Sequence, residues 1–231
     1  VVGAVYYLKL SIDLPDMQTE GQIVGLIGRS VEAYRAAQAH ETGGKAATFT
    51  VVPREVLKSP AGQALLALER CPDYLVAPPT SGTDYWRAQF QAPTGATACT
   101  VGMATDIADR MLLPSREHLI VAGDRIREVL GRDGLFAVWL SALPFEPKGP
   151  QGVEPAALAL FHQEPQLLDW EEAAELAVAT TRYGEFAICA NPPQLTELRD
   201  RFLDAAAQAI PAAAAEIQAA KKKPLHCNAK G

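Results

Sequence analysis

The chain is poor in several features that would declare a function. Nowhere in its 231 residues is there an unbroken apolar run of roughly eighteen residues, so no membrane-spanning helix is expected. Val1-Val2-Gly3-Ala4 has no basic segment ahead of an apolar one and does not read as an intact signal peptide. Only four cysteines are present, Cys71, Cys99, Cys189 and Cys227, and none forms Cys-x-x-Cys. A chain of this length can bury its core without staples. At least the first three are therefore expected as free thiols of an intracellular, cytoplasmic protein.

Basic charge is scarce too. The formal net charge is −6, and the last eleven residues hold four lysines and no acid, which leaves the rest of the chain at −10. A body that acidic repels phosphate backbones, so nucleic acid is excluded as a partner. It suits solubility or attraction to a basic protein. The run Lys221-Lys222-Lys223 is too short to hold an anionic surface and reads as a solvated tail over residues 221–231.

The motifs of several enzyme classes are missing. There is no Gly-x-Ser-x-Gly elbow, no Gly-x-x-x-x-Gly-Lys-Ser/Thr and no Gly-x-Gly-x-x-Gly. Gly43-Gly44-Lys45 is too short to cradle a phosphate and reads as a turn. His162-Gln163-Glu164 and His226-Cys227 bring metal-ligating residue types together, but neither has a zinc spacing. Neither a metal nor a cofactor is expected.

What is present has an ordinary globular balance, with 48% hydrophobic and 21% charged residues. Val1 to Leu14 alternates like a strand, as do Thr48 to Val52 and Tyr74 to Ala77. Tyr85 to Gln91 and Thr97 to Gly102 flank Pro93-Thr94-Gly95 and suggest a hairpin. Leu135 to Ala142, apolar on both faces, suggests a central strand, and Glu185 to Ala190 another. Thr19-Glu20-Gly21-Gln22 has capping-box spacing and opens a helix with the stripe Ile23, Ile27, Val31 and Tyr34. Further helices are predicted over Gly62 to Arg70, from Ser115 to Gly131 or Gly134, from Asp169 to about Arg182, and from Asn191-Pro192 to Pro211. Pro155 to Phe161 is ambiguous. The order does not alternate regularly. It predicts an α+β fold, a mostly antiparallel sheet with helices packed on it, in one domain over residues 1–220.

Four residues stand out for partner binding. In Asp84-Tyr85-Trp86-Arg87, strand alternation puts Tyr85 and Arg87 on one face and Trp86 on the other, in the core; aromatics and arginine favour binding hot spots. Asp106 and Asp109 lie three apart on a helical turn beside Arg110, where a solvated face is the ordinary explanation. A catalytic alternative would assemble Cys99, His118 and His162 from scattered positions, although Cys99 sits in an apolar segment that suits an inert thiol. A third reading makes the chain a subunit of a larger assembly whose tail is held by a neighbour.

The segment Met111-Leu112-Leu113-Pro114, a helix, and then Gly134-Leu135-Phe136-Ala137 resembles the middle of immunity proteins linked to type VI secretion. Glu154-Pro155-Ala156-Ala157-Leu158-Ala159-Leu160, Leu167-Leu168-Asp169 and Tyr183-Gly184-Glu185-Phe186 extend the resemblance across roughly residues 100 to 205. The resemblance implies a cytoplasmic, non-enzymatic protein that binds and neutralises a cognate secreted toxin. No functional residue carries over, because the toxin-facing surface varies with the toxin. The partner to expect is then a protein, a basic toxin, with neither nucleic acid nor membrane involved. Tyr85, Arg87, Asp106 and Asp109 are the residues expected to meet it.

Overall fold

Thr19 and Gln22 open the first helix reciprocally. The Thr19 N–H donates to Gln22 Oε1 (2.9 Å), and the Gln22 N–H donates to Thr19 Oγ1 (3.3 Å). This is the predicted capping box. The structure, a computed structural model, describes residues 11, 13–42, 48–68, 71, 73–111, 113–145, 149–180 and 192–226. Its helices in chain order are α1 (Glu20–Thr42), α2 (Arg54–Lys58), α3 (Pro60–Leu68), α4 (Gly82–Ala88), α5 (Gly95–Asp109), α6 (Arg116–Ala142), α7 (Val153–Phe161), α8 (Trp170–Val178), α9 (Pro192–Ala209) and α10 (Ala214–Ala220). Where the sequence suggests one domain over 1–220 and a tail, the chain groups into two compact units. One is Val1–Val51 with Asp73–Ala142, and the other is Val52–Pro72 with Leu143–Gly231. Among the described residues, no helix is long and apolar enough to cross a membrane.

The first unit is built on α5 and α6, which pack along each other, with α1 and α4 against α6. Ile23, Ile27 and Val31 are the buried stripe of α1, as predicted, while Tyr34 stays 41% exposed. On α5 the buried set is Cys99, Thr100, Met103, Ala104, Ile107 and Ala108, which recurs at helical spacing. α4 starts at Ser81, whose Oγ accepts the Asp84 N–H (3.1 Å) and donates to Asp84 Oδ2 (2.7 Å). Gly131 interrupts α6 with φ 63° and ψ −172°, a conformation that glycine alone adopts without strain.

The second unit centres on α8, buried along its whole length. Asp169 caps it: Oδ1 accepts the N–H groups of Glu171 and Glu172 (3.1 Å each), and Glu172 Oε2 accepts the Asp169 N–H (3.1 Å). Trp170 and Ala174 form a core with Ala67 of α3, Leu203, Ala206 and Ala207 of α9, and Ile217 and Ala220 of α10. Pro211 ends α9, as predicted, and opens a single 3₁₀ turn, Pro211–Ala213, before α10. Arg199 of α9, 3% exposed, then ties down the segment that follows, with Nη1 donating to the Lys223 carbonyl (3.0 Å) and Nη2 to the Lys221 carbonyl (3.2 Å). Leu225 packs on Val178 and Leu195.

The α+β prediction is overturned. The described residues contain no sheet, only two isolated bridges, Pro144 with Gln151 and Phe145 with Thr180. Leu135 to Ala142 is the buried last stretch of α6, not a strand; an apolar run does not by itself distinguish a central strand from a helix buried on every side. The expected hairpin arms are α4 and the start of α5. Tyr74 to Ala77 is a turn, in which Asp73 O accepts from Val76 N (3.1 Å) and Ala77 N (2.8 Å). Thr48 to Val52 is extended but pairs with α1 side chains instead of a strand. Phe49 N donates to Glu32 Oε1 (2.8 Å), and Thr48 O accepts from Arg35 Nη1 (2.9 Å). The ambiguous Pro155 to Phe161 is helical, within α7. The strand predicted over Glu185 to Ala190 lies outside the described residues, as does most of the one over Val1 to Leu14.

Candidate functional site

Of the four residues singled out for partner binding, two face inward. Tyr85 is 0% exposed; its hydroxyl donates to the Ile120 carbonyl (3.3 Å), and the Arg127 guanidinium lies 5.8 Å from its ring centre. Burial, reinforced by the Asp124 carboxylate, pushes its phenol well above the ordinary range. Asp106 is half-buried and accepts from Trp139 Nε1 (3.0 Å). Arg87 and Asp109 are exposed, and Arg87 Nη1 pairs with Asp84 Oδ1 at 3.0 Å. The helical turn of α4, not a strand, sets these directions. It also leaves Trp86 half-buried, donating from Nε1 to Asp124 Oδ2 (2.8 Å). Sequence reading passed over Phe90, which lies one turn beyond Arg87, donates its N–H to the Arg87 carbonyl (3.1 Å) and is 85% exposed.

The scattered Cys/His alternative loses its nucleophile. Cys99 is disulfide-bonded, as is Cys71, which corrects the expectation of free thiols at both positions. Cys189 and Cys227 lie outside the described residues. His118 Nδ1 is 2.9 Å from Ser115 Oγ in the first turn of α6. His162 is exposed at the left-handed end of α7, with φ 58°. Gly43-Gly44-Lys45 also lies outside the described residues.

Among the described residues, α8 carries a cluster of buried carboxyls. Glu171, Glu172 and Glu175 are 3%, 6% and 0% exposed, and the segment after α10 supplies their partners. Lys223 Nζ bonds Asp169 Oδ2 and lies 3.8 Å from Glu171 Oε2. His226 Nε2 is 3.2 Å from Glu172 Oε1, its backbone N–H donates to Glu175 Oε1 (3.3 Å), and its ring meets Phe161 edge-on at 5.0 Å. Gln163 Nε2 donates to Glu172 Oε1 (2.8 Å).

The electrostatics follow the burial. Burial pushes Glu175 up to about 7; the His226 N–H works against this, and the Glu171 carboxylate adds to it. Glu171 is raised for the same first reason, with Asp169 adding to it. At Asp169 burial is outweighed by the Lys223 ammonium and the capping N–H groups, which hold it below the usual carboxylate range. Lys223 is raised in turn by its bond to Asp169.

The spacing Glu171-x-x-x-Glu175 could have shown two carboxyls on one helix face. Asp169-Trp170-Glu171-Glu172 reads so readily as a cap that this second meaning is hidden. His226 was legible as a ligand type, but its partner in the fold is α8. The other pairing considered, His162 with Glu164, places both residues on exposed backbone after α7. Lys221 and Lys223 are not a free tail. Lys221 Nζ bonds both carboxyl oxygens of Asp204 at 3.0 Å, and Lys223 closes on α8.

No protein-family model matches this chain, and no curated protein matches it.

Proposed function

We propose that this chain is a protein-binding protein, of the immunity type that neutralises a secreted toxin, whose partner is a basic protein. One observation carries the reading: Phe90, 85% exposed, stands one turn from the exposed Arg87. A large aromatic beside an arginine has the composition of an interface hot spot. The net charge of −6 favours fast association with a basic partner, and Asp109 at the end of α5 adds an exposed acid. The disulfide at Cys99 weighs against the enzymatic alternative, because a thiolate is needed there. The assembly-subunit alternative drew on a tail held by a neighbour, and residues Lys221 to His226 are held by the chain itself. That Cys71 and Cys99 are disulfide-bonded favours an oxidising compartment.

Affinity capture from native lysate at low salt, with the retained protein identified by mass spectrometry, tests the reading. Phe90→Ala should weaken capture by roughly 30-fold, the cost of a hot-spot truncation of about 2 kcal/mol. Asp109→Lys should slow association at low salt and lose that effect at high salt. Asp106 is unsuited to this test, since its reversal also removes the Trp139 bond. A captured protein that binds Phe90→Ala and Arg87→Ala variants as tightly as the native chain would place the interface elsewhere.

A further inference from the structure

The buried carboxyls of α8 are short of positive charge. Glu171, Glu172 and Glu175, together with the half-exposed cap Asp169, face one ammonium, Lys223, and one imidazole, His226. The nearby Arg199 guanidinium is committed to Asp200 (2.9 Å) and to the carbonyls of Lys221 and Lys223. Two buried atoms of this cluster have no partner among the described residues: Glu175 Oε2, on a side chain that is 0% exposed, and His226 Nδ1. Leaving a carboxylate oxygen and a ring nitrogen dry and unpaired costs free energy at both. A ligand that accepts lone pairs from both removes the cost.

Ligand atoms of Glu171, Glu175 and His226 all lie within 4.8 Å of one another. A tetrahedral cation with bonds of about 2.1 Å sets its ligands roughly 3.4 Å apart. Convergence on one ion therefore requires side-chain rotation at these three residues. We propose that Glu171, Glu175 and His226 form a binding site for a single divalent transition-metal ion of the zinc or manganese class. Two carboxylates and an imidazole suit these ions, since imidazole favours zinc and carboxylate oxygens favour manganese. Glu172, at Nε2, holds the imidazole in orientation and leaves Nδ1 for the cation, the arrangement in which a carboxylate sets a ligating histidine. An ion there links α8 to the segment that follows α10. The site is independent of the Phe90 surface and of any toxin.

The test is metal loading of the full chain, stripped with chelator and dialysed separately against Zn²⁺ and Mn²⁺, with bound metal counted by elemental analysis. One ion per chain is expected for at least one of the two metals, together with a rise in melting temperature on loading. Glu175→Gln preserves side-chain shape and removes a buried charge, so it should fold as well as the native chain; it should bind no ion and show no rise. His226→Ala should also lose the ion. Glu172→Gln should retain the site and weaken it by about 10- to 100-fold, the usual effect of losing a histidine's orienting carboxylate. No ion bound by the native chain in either metal would overturn the assignment. Full occupancy in both Glu175→Gln and His226→Ala would do the same, because the metal would then sit elsewhere.

Discussion

The hydroxyl of Tyr85 occupies the space that a β-carbon on residue 123 would need, and Gly123 is what lets α4 and α6 close on each other. A methyl group there overlaps the phenol oxygen and stands 3.4 Å from Cζ, with the Ala104 backbone 3.6 Å away. Gly123→Ala should therefore destabilise by about 1–3 kcal/mol, the usual cost of overpacking. Tyr85→Phe alone gives up the bond to the Ile120 carbonyl, about 1 kcal/mol. Combined, the two should cost less than their sum by more than about 0.5 kcal/mol, because removing the oxygen makes room for the methyl. Urea unfolding of the four chains measures that coupling, and strict additivity would show that the hydroxyl is not what the methyl meets.

Asp124 is a second fixed point of the same unit. Its Oδ1 receives Arg127 Nε (3.1 Å) and Nη2 (2.7 Å), and its Oδ2 receives Trp86 Nε1 (2.8 Å). The side chains of the ion pair are only 16% and 12% exposed. Removing one partner strands the other, so Asp124→Ala should cost about 3–5 kcal/mol. Trp86→Phe should cost closer to 1 kcal/mol, the loss of one bond. Equilibrium denaturation separates the two, and equal losses would mean that the pair with Arg127 is worth little.

Gly131 offers a clean measure of backbone strain. Nothing lies within 4 Å of where its β-carbon would be, yet its φ is 63° in the middle of α6. Gly131→Ala should lose about 1–3 kcal/mol from conformation alone. A neutral result in thermal unfolding would mean that the helix straightens through this position at no cost.

Tyr74 and Tyr85 should resist alkali. Burial raises the phenols of Tyr74 and Tyr85, so the folded chain binds their protons more tightly than the unfolded chain does. Their contribution to stability is whole below the ordinary tyrosine value of about 10 and is lost as pH rises above it. Near-ultraviolet titration should show at least two phenols ionising only together with loss of the helical circular dichroism, and Tyr74→Phe and Tyr85→Phe should each remove one of them. Early, reversible ionisation of every phenol would contradict the burial.

Much of the helical content was legible, and for recognisable reasons. Thr19 with Gln22, Asp169 with Glu172, and the Pro192 and Pro211 boundaries each declare a helix end through local chemistry. The misreadings share one cause, which is that short windows conceal the period. Thr97 to Gly102 resembles a strand until the buried spacing is followed on to Ala108. Leu135 to Ala142 has no period at all, because every face is covered. The candidate metal site was half legible. Glu171 and Glu175 come from one helix, but His226 reaches them on a segment that Arg199 helps to hold, through hydrogen bonds to two backbone carbonyls that leave no pattern in the sequence.

The two units are interleaved along the chain, which passes from one to the other after Val51, after Pro72 and after Ala142. No single cut can therefore release either unit free of residues of the other. Simple end-to-end fusion of two ready-made units would not give this order along the chain. Whatever each unit does, the two are inherited as one indivisible piece.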